Sequence, residues 1–196
     1  MTAAVISHMF SCEKGRRRLY FQLILHCAPF LKGLKISSIV NIEKSAFDDI
    51  SKVLAETGIE WKILKEQGGR CLLFLYRRKE FTEYLHREEI RRFLEENEYC
   101  VNSIDKVLEK LAKRVSEYEE RSFPHEVGVF LDYPVEDVKA FIEKGGKDCL
   151  LCGYWKVYYN LDKAQRIFHI YDMAKASAVN EFLAGGTLQD IAGKTA

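Results

Sequence analysis

The pattern of hydrophobic and polar positions is strand-like in the first part of the chain. Residues 19–27, LYFQLILHC, form a dense apolar run of strand length, which predicts a strand buried on both faces. Pro29 follows this run and cannot donate a ladder hydrogen bond, so the chain should leave the sheet there. Residues 35–42, KISSIVNI, predict a second strand.

Residues 59–77 carry the signature of an antiparallel hairpin. Apolar and charged side chains alternate over residues 59–63, as in a half-buried strand. Gly68 and Gly69 supply the positive φ values that a two-residue turn needs. The segment RCLLFLYR, residues 70–77, should then return as a more deeply buried partner strand.

Helical spacing dominates elsewhere. Ser45 and Asp48 resemble a capping box that opens a helix ending at Gly58. Two short helices that change face near His86 lead to a long amphipathic helix that opens near Asn102. Further predicted elements are two proline-led helices at 124–131 and 134–144, with Val135, Val138, Phe141 and Ile142 inward in the second, an extended segment at 149–159, a last helix from 160 and a loose tail from 185.

These elements predict an α+β fold in one domain spanning residues 1–196. A small, mostly antiparallel or mixed sheet should occupy about residues 17–78. The helical part, about residues 79–184, should pack on that sheet, since each amphipathic helix needs an apolar surface to cover.

Charge balance changes the expectation about partners. The 30 basic and 29 acidic residues leave a net charge of +1, so no global field attracts a phosphate backbone or an anionic membrane. The basic residues cluster only in short runs at 14–18 and 77–79, which are typical of solvated flanks. Nucleic acid is therefore not an expected partner.

Cysteine usage and hydropathy predict a cytoplasmic protein. The N-terminal positive charges follow the apolar residues instead of preceding them, so the chain has no secretory pattern. Without such a pattern, its six cysteines indicate reduced thiols. The longest apolar run, at residues 19–25, falls short of the ~20 residues that span a bilayer. No membrane association is expected.

Thiol chemistry at Cys27 is one hypothesis. An imidazole or a helix N-terminus stabilises a thiolate, and His125, in the first turn of a predicted helix, would be the base if the fold brings it near. Glu126 would then orient the ring. The alternative is that Cys27 is a small buried hydrophobe and that His125 packs locally, since no cysteine-enzyme signature is present.

Cys149 and Cys152 have the C-x-x-C-G form of half a zinc knuckle. A structural zinc needs four ligands, and the chain has no second pair of this kind. The missing ligands would have to come from His26 with Cys27, or from His8 with Cys12. A redox dithiol is the other use of this spacing, but its usual strand-to-helix context is absent, so neither a metal nor a cofactor is assigned.

The aromatic segment after Cys152 suggests a binding surface. Tyr154 and Trp155 are suited to lining a pocket for a flat ligand, with Lys156 as a charged anchor, although such aromatics more often pack in a core.

The helix pair at 124–144 has the length of a helix-turn-helix, but its second helix offers mostly acidic residues, which do not suit DNA.

Three motifs carry a family resemblance: HCAPFLKGLK, FPHEVGVFLDYPVEDVKAFIE and CGYWKVY. The chain resembles the bacterial domain-of-unknown-function family 3793 over nearly its whole length. The resemblance implies a small cytoplasmic bacterial protein and no particular activity. Asp132 is a departure, because glycine is expected before Tyr133-Pro134 in relatives.

The leading functional hypothesis is a protein that binds a small molecule, with or without catalysis. The HCAP, FPHE and CGYWKVY segments place reactive side chains at element ends, where sites are usually built. One pocket is expected there, with Cys27 and His125 for chemistry and with His26, Glu126, Tyr154, Trp155 and Lys156 for binding. The alternative is a protein- or DNA-interaction module that uses the helix pair at 124–144. Neither the ligand nor the oligomeric state follows from the sequence.

Overall fold

The computed structural model describes residues 15–117 and 124–193. A three-stranded antiparallel sheet has the order β1-β3-β2, with β1 at Ser37–Glu43, β2 at Glu60–Gln67 and β3 at Arg70–Tyr76. A second, two-stranded antiparallel pair joins β4, Leu151–Cys152, to β5, Lys156–Val157. The helices are α1 (Gly15–Leu31), α2 (Phe47–Val53), α3 (Arg78–Leu85), α4 (Glu88–Glu96), α5 (Ile104–Ser116), α6 (Val127–Phe130), α7 (Val135–Glu143), α8 (Leu161–Leu183) and α9 (Leu188–Ala192).

The α+β fold class is confirmed, and the sheet is buried on both faces. Successive side chains of a strand point to opposite faces. On β3, Leu73 and Leu75 therefore pack into a core with α1, α2, α9 and the end of α8. Phe74 and Tyr76 point the other way, into a second core with α3 to α7. The strand that the sequence predicted to be deeply buried is thus the centre of a three-layer arrangement.

The strand predicted at residues 19–27 is wrong, because this segment lies in the 17-residue helix α1. Its apolar run has no amphipathic period since nearly the whole circumference from Leu19 to Leu31 is buried. A helix that is hydrophobic all round and a strand buried on both faces have the same local pattern. Pro29 is tolerated because α1 ends two residues later, so only one hydrogen bond of the helix is lost.

The end of α1 is closed by a local motif and by a distant arginine. Gly33 adopts φ 71°, its N–H donates to Phe30 O, and the Leu34 N–H donates to Pro29 O, the paired bonds of a Schellman motif. The buried guanidinium of Arg77 donates to the carbonyls of Phe30 and Leu31 and also to that of Ala192, at the end of α9. One side chain from the end of the sheet therefore caps two helices.

Other predicted elements are confirmed with corrections. The hairpin turn at Gly68-Gly69 and the two short helices before residue 97 are present. Ser45 does not cap α2: it lies in a 3₁₀ turn, its hydroxyl contacts Glu43, and the helix ends at Val53. The predicted helix at 124–131 is reduced to the single turn α6.

The C-terminal prediction of a loose tail is wrong for residues 188–192. These residues form α9, in which Leu188, Ile191 and Ala192 are buried in the first core. Thr187 and Asp190 begin this helix with a reciprocal capping box.

In α7, Ile142 was predicted to face inward but is 44% exposed. Among the helices of residues 15–117 and 124–193, none is both long and apolar enough to cross a membrane.

Candidate functional site

A largely apolar cavity of about 310 Å³ lies where α6, α7 and the segment after Cys152 meet. Gly128 permits the close contact between α6 and α7, since a Cβ there would lie 2.8 Å from Val138. The volume is at the lower end of the range for small-molecule sites. The described residues that line it are His125, Val127, Gly128, Leu131, Tyr133, Asp137, Val138, Phe141, Trp155 and Lys156.

Asp137 organises the wall of this cavity. Its carboxylate is buried, and Oδ2 accepts a 2.8 Å hydrogen bond from the Trp155 indole N–H. Oδ1 accepts from the backbone N–H groups of Tyr158 and Tyr159, at 2.8 and 2.9 Å. A buried carboxylate is stable only when it is well hydrogen-bonded. Asp137 therefore ties α7 to the 155–159 segment and sets the orientation of the Trp155 ring.

Aromatic rings form most of the remaining wall. Tyr133 stacks on Trp155, with centroids 5.5 Å apart and planes 28° apart. The rings of Trp155 and Phe168, on α8, pack edge-to-face with their centroids 4.6 Å apart. Because Trp155 is held by both rings as well as through its N–H, it forms a rigid surface toward the cavity.

Two basic residues complete the lining. His125 is exposed and meets the Phe141 ring edge-on, with centroids 4.9 Å apart. The Lys156 ammonium lies 5.6 Å from the centroid of the same ring and donates to Gly146 O at 2.7 Å. Gly146 has φ 74°, and a Cβ there would approach Phe141 to 3.1 Å, so glycine suits this turn.

Glu126 supports this site from behind. Its carboxylate is buried, pairs with the guanidinium of Arg114 on α5 and accepts a 3.0 Å hydrogen bond from the Tyr99 hydroxyl. Burial and the Glu126 charge together raise the pKa of Tyr99, so its hydroxyl stays protonated as the donor. The predicted role of Glu126 in ligand binding has no geometric support, because its carboxylate is engaged by the protein itself. It anchors the turn that carries His125.

Cys27 has the environment of a core residue. It is fully buried in the first core and does not line the cavity. Burial raises the pKa of the Cys27 thiol to about 11, against smaller opposing effects of Ser38 and Lys35. A nucleophilic cysteine needs the opposite, a stabilised thiolate that a substrate can reach. The HCAP segment and the FPHE segment therefore do not share the cavity, and the pairing of Cys27 with His125 has no support in this geometry.

His26 also lies outside the cavity. Its side chain is exposed on α1, where partial burial and the charge of Lys175 on α8 lower the pKa of the imidazole. Tyr154, predicted as a ligand-binding residue, packs against Phe168 and Tyr171, and its hydroxyl donates to Asp172 at 2.8 Å. Tyr154 therefore holds α8 in place instead of facing the cavity.

The C-x-x-C pair has no third ligand in the described residues. Cys149 is half-buried and Cys152 is exposed at β4. Within residues 15–117 and 124–193, no three His, Cys, Asp or Glu side chains form a group that could hold a metal ion. The other proposed ligands, His8 and Cys12, lie outside the described residues.

A more polar cleft of about 490 Å³ lies beside the cavity and shares Tyr133 and Trp155 with it. Asp132 lines the cleft with φ 65°, a left-handed conformation that favours glycine, which agrees with the glycine expected there in relatives. Its carboxylate accepts a hydrogen bond from the Ile36 N–H, and burial raises the pKa of this carboxyl. The Lys35 ammonium lies 5.0 Å from the Tyr133 ring, and burial lowers the pKa of this lysine to about 8.

The helix pair at 124–144 does not have the shape of a DNA-binding module. Its first helix, α6, is a single turn of four residues. The second, α7, turns Val138 and Phe141 to the cavity and exposes Glu136 and Glu143, while its Lys139 lies 3.7 Å from Glu96. Carboxylates repel a phosphate backbone, so this face gives the nucleic-acid alternative no support.

Two residues that shape the cavity, Asp137 and Tyr133, are not among the site residues predicted from the sequence. The sequence indicates Asp137 only as one acidic residue of the second proline-led helix and Tyr133 only as part of a family motif. A signal for Asp137 was present, since it lies four residues before Phe141 and next to Val138, on the apolar side of α7. A carboxylate on an apolar stripe implies buried donors elsewhere in the chain.

Comparison with known proteins gives one match. No curated protein and no solved structure matches this chain. A family model described as "Protein of unknown function (DUF3793)" matches residues 23–192, which include every described residue of the cavity. The chain therefore belongs to the DUF3793 family.

Proposed function

We propose that this protein binds a small, flat and mostly apolar molecule in the cavity beside Trp155. The observation that carries the proposal is the combination of an apolar, aromatic lining with a few placed polar groups, the usual composition of a small-molecule site. The predicted FPHE and CGYWKVY segments both contribute, through His125 and through Trp155 and Lys156. The HCAP segment does not line the cavity, so the proposed binding site involves no thiol chemistry.

Rigidity of the wall supports binding more than a structural role. The Trp155 ring is fixed by a hydrogen bond to Asp137 and by ring contacts with Tyr133 and Phe168. A preorganised surface loses little conformational entropy when a ligand is bound. An aromatic that only filled a core would have no empty volume beside it, whereas Trp155 lines the cavity.

The test uses the fluorescent probe 1-anilinonaphthalene-8-sulfonate, an aromatic sulfonate. The wild-type protein should bind it saturably at a single site. Leu131→Trp replaces an aliphatic side chain of the lining by a large aromatic ring that fills the cavity, and it should abolish this binding. Leu150→Trp makes the same substitution at a position that is 59% exposed and outside the cavity, so it should leave binding intact.

Thermal unfolding of both variants is needed, because the probe also binds partly unfolded chains. Loss of binding in Leu131→Trp with an unchanged unfolding midpoint supports the cavity as the site. Equal probe binding by wild type and both variants would overturn the proposal, since the probe would then bind elsewhere on the surface.

A further inference from the structure

The described lining of the cavity contains one carboxylate and one ammonium, and the carboxylate is already engaged by the protein. Asp137 is the only carboxylate among the described lining residues, and both its oxygens accept hydrogen bonds from N–H groups of the protein. Its charge is therefore directed at Trp155 and at the backbone of Tyr158 and Tyr159. What remains for a ligand is one carboxylate with most of its acceptor capacity used and the ammonium of Lys156.

Lys156 supplies the ammonium group of the cavity lining. Its ammonium has three donors, of which Gly146 O takes one. The side chain is half-buried, so water supplies its remaining hydrogen bonds less fully than at an exposed lysine. A partly desolvated cation beside an apolar volume favours an anionic partner, because the Coulomb attraction is less screened there.

The apolar part of the ligand is also constrained by the walls. Tyr133, Phe141 and Trp155 present aromatic surface, and the close contact of Gly128 with Val138 narrows the space between α6 and α7. Rings stack or pack edge-on at such surfaces with additional stabilisation over plain burial. A planar ring system fits this space better than a flexible chain, because it loses no rotamer freedom on binding.

We infer that the natural ligand is an aromatic anion, with its ring against Trp155 and Phe141 and its acidic group held by Lys156 beside His125. This inference rests on the proposed function, and it adds the chemical class of the ligand. A carboxylate and a sulfonate or phosphate share the chemistry that Lys156 recognises. The test uses a carboxylate, because neutral and cationic compounds with the same ring and chain length can be compared with it.

The test is a titration of three matched compounds by isothermal calorimetry at low salt: naphthalene-2-acetate, 2-(2-naphthyl)ethanol and 2-(2-naphthyl)ethylamine. Ring and chain length are the same, while the charge is negative, zero and positive. The anion should bind about tenfold more tightly than the alcohol, as expected for a hydrogen bond that becomes charge-assisted, and the amine should bind least.

Lys156→Met keeps the apolar stem and removes the charge, so the anion should lose its advantage while the alcohol binds as before. Lys147→Met, at an exposed lysine next to Gly146 and outside the described lining of the cavity, should retain the wild-type order. Equal binding of anion and alcohol by wild type, or preference for the amine, would overturn the inference and leave the cavity as a binding site. Binding of none of the three would overturn the proposed function as well.

Discussion

Asp137→Asn is the sharpest perturbation of the candidate site. It preserves volume and shape but replaces one acceptor oxygen by an NH₂ group. With the amide oxygen toward the two backbone N–H groups, the NH₂ faces the Trp155 indole N–H at the former 2.8 Å contact, donor against donor. With the amide flipped, the N–H groups of Tyr158 and Tyr159 lose their acceptor instead. No orientation satisfies all three donors.

The magnitude follows from these three bonds. Loss of one charge-assisted hydrogen bond in a buried position costs about 1.5 to 3 kcal/mol, and the two retained bonds weaken because their acceptor is no longer charged. An amide is easier to desolvate than a carboxylate, which offsets part of the loss. The free energy of unfolding should fall by about 2 kcal/mol, a large part of the 5 to 15 kcal/mol that domains typically have.

The assay is urea denaturation followed by tryptophan emission. The chain has two tryptophans, so Trp61→Phe is made first, which leaves Trp155 as the only emitter. In native Asp137→Asn the emission maximum should move from its wild-type position, because the indole loses its buried charged acceptor and is held less firmly. Probe binding in the cavity should weaken in parallel.

Glu136→Gln is the matched control, since it makes the same chemical change at the neighbouring exposed position. Its effect on the free energy of unfolding should stay within about 0.5 kcal/mol, as for most surface substitutions. If Asp137→Asn also stays within that range and native Trp155 emission is unchanged, Asp137 does not position the indole and the account of the cavity wall is wrong.

Three further predictions concern the scaffold. Arg77→Met should lower the free energy of unfolding by about 3 kcal/mol in urea titrations, since carbonyls at the ends of α1 and α9 lose their donor, and a negligible loss would refute the capping role. Burial lowers the pKa of Lys35 from 10.5 to about 8, so between these values the unfolded chain binds more protons and wild-type stability gains with rising pH. The free energy of unfolding of Lys35→Met relative to wild type should therefore decrease by about 2 kcal/mol from pH 7 to about pH 9.5. A difference that stays constant over this range contradicts the prediction. Lys79→Met, at an exposed lysine, is the control. N-ethylmaleimide should label the exposed Cys100 about a hundredfold faster than Cys27, and comparable rates in the native protein would show that the thiol of Cys27 is accessible.

Local sequence patterns determined much of the fold. The hairpin around Gly68-Gly69 and the amphipathic helices α3 to α5 were predictable, because their turn residues and hydrophobic periods act within a few residues. The motifs around His125 and Trp155 were recognisable for the same reason. Net charge depends on composition alone, and the lack of a long apolar run depends only on the order of residues along the chain.

Tertiary structure decided the rest. The segment at residues 19–27 is helical because α8, α9 and the sheet surround it, and a segment buried on all sides has no period that distinguishes helix from strand. The same distant packing separated Cys27 from His125. It also turned Asp137 inward, where three N–H groups from another segment satisfy its carboxylate. Contacts between residues far apart in sequence have no local signature, and they are what form the cavity.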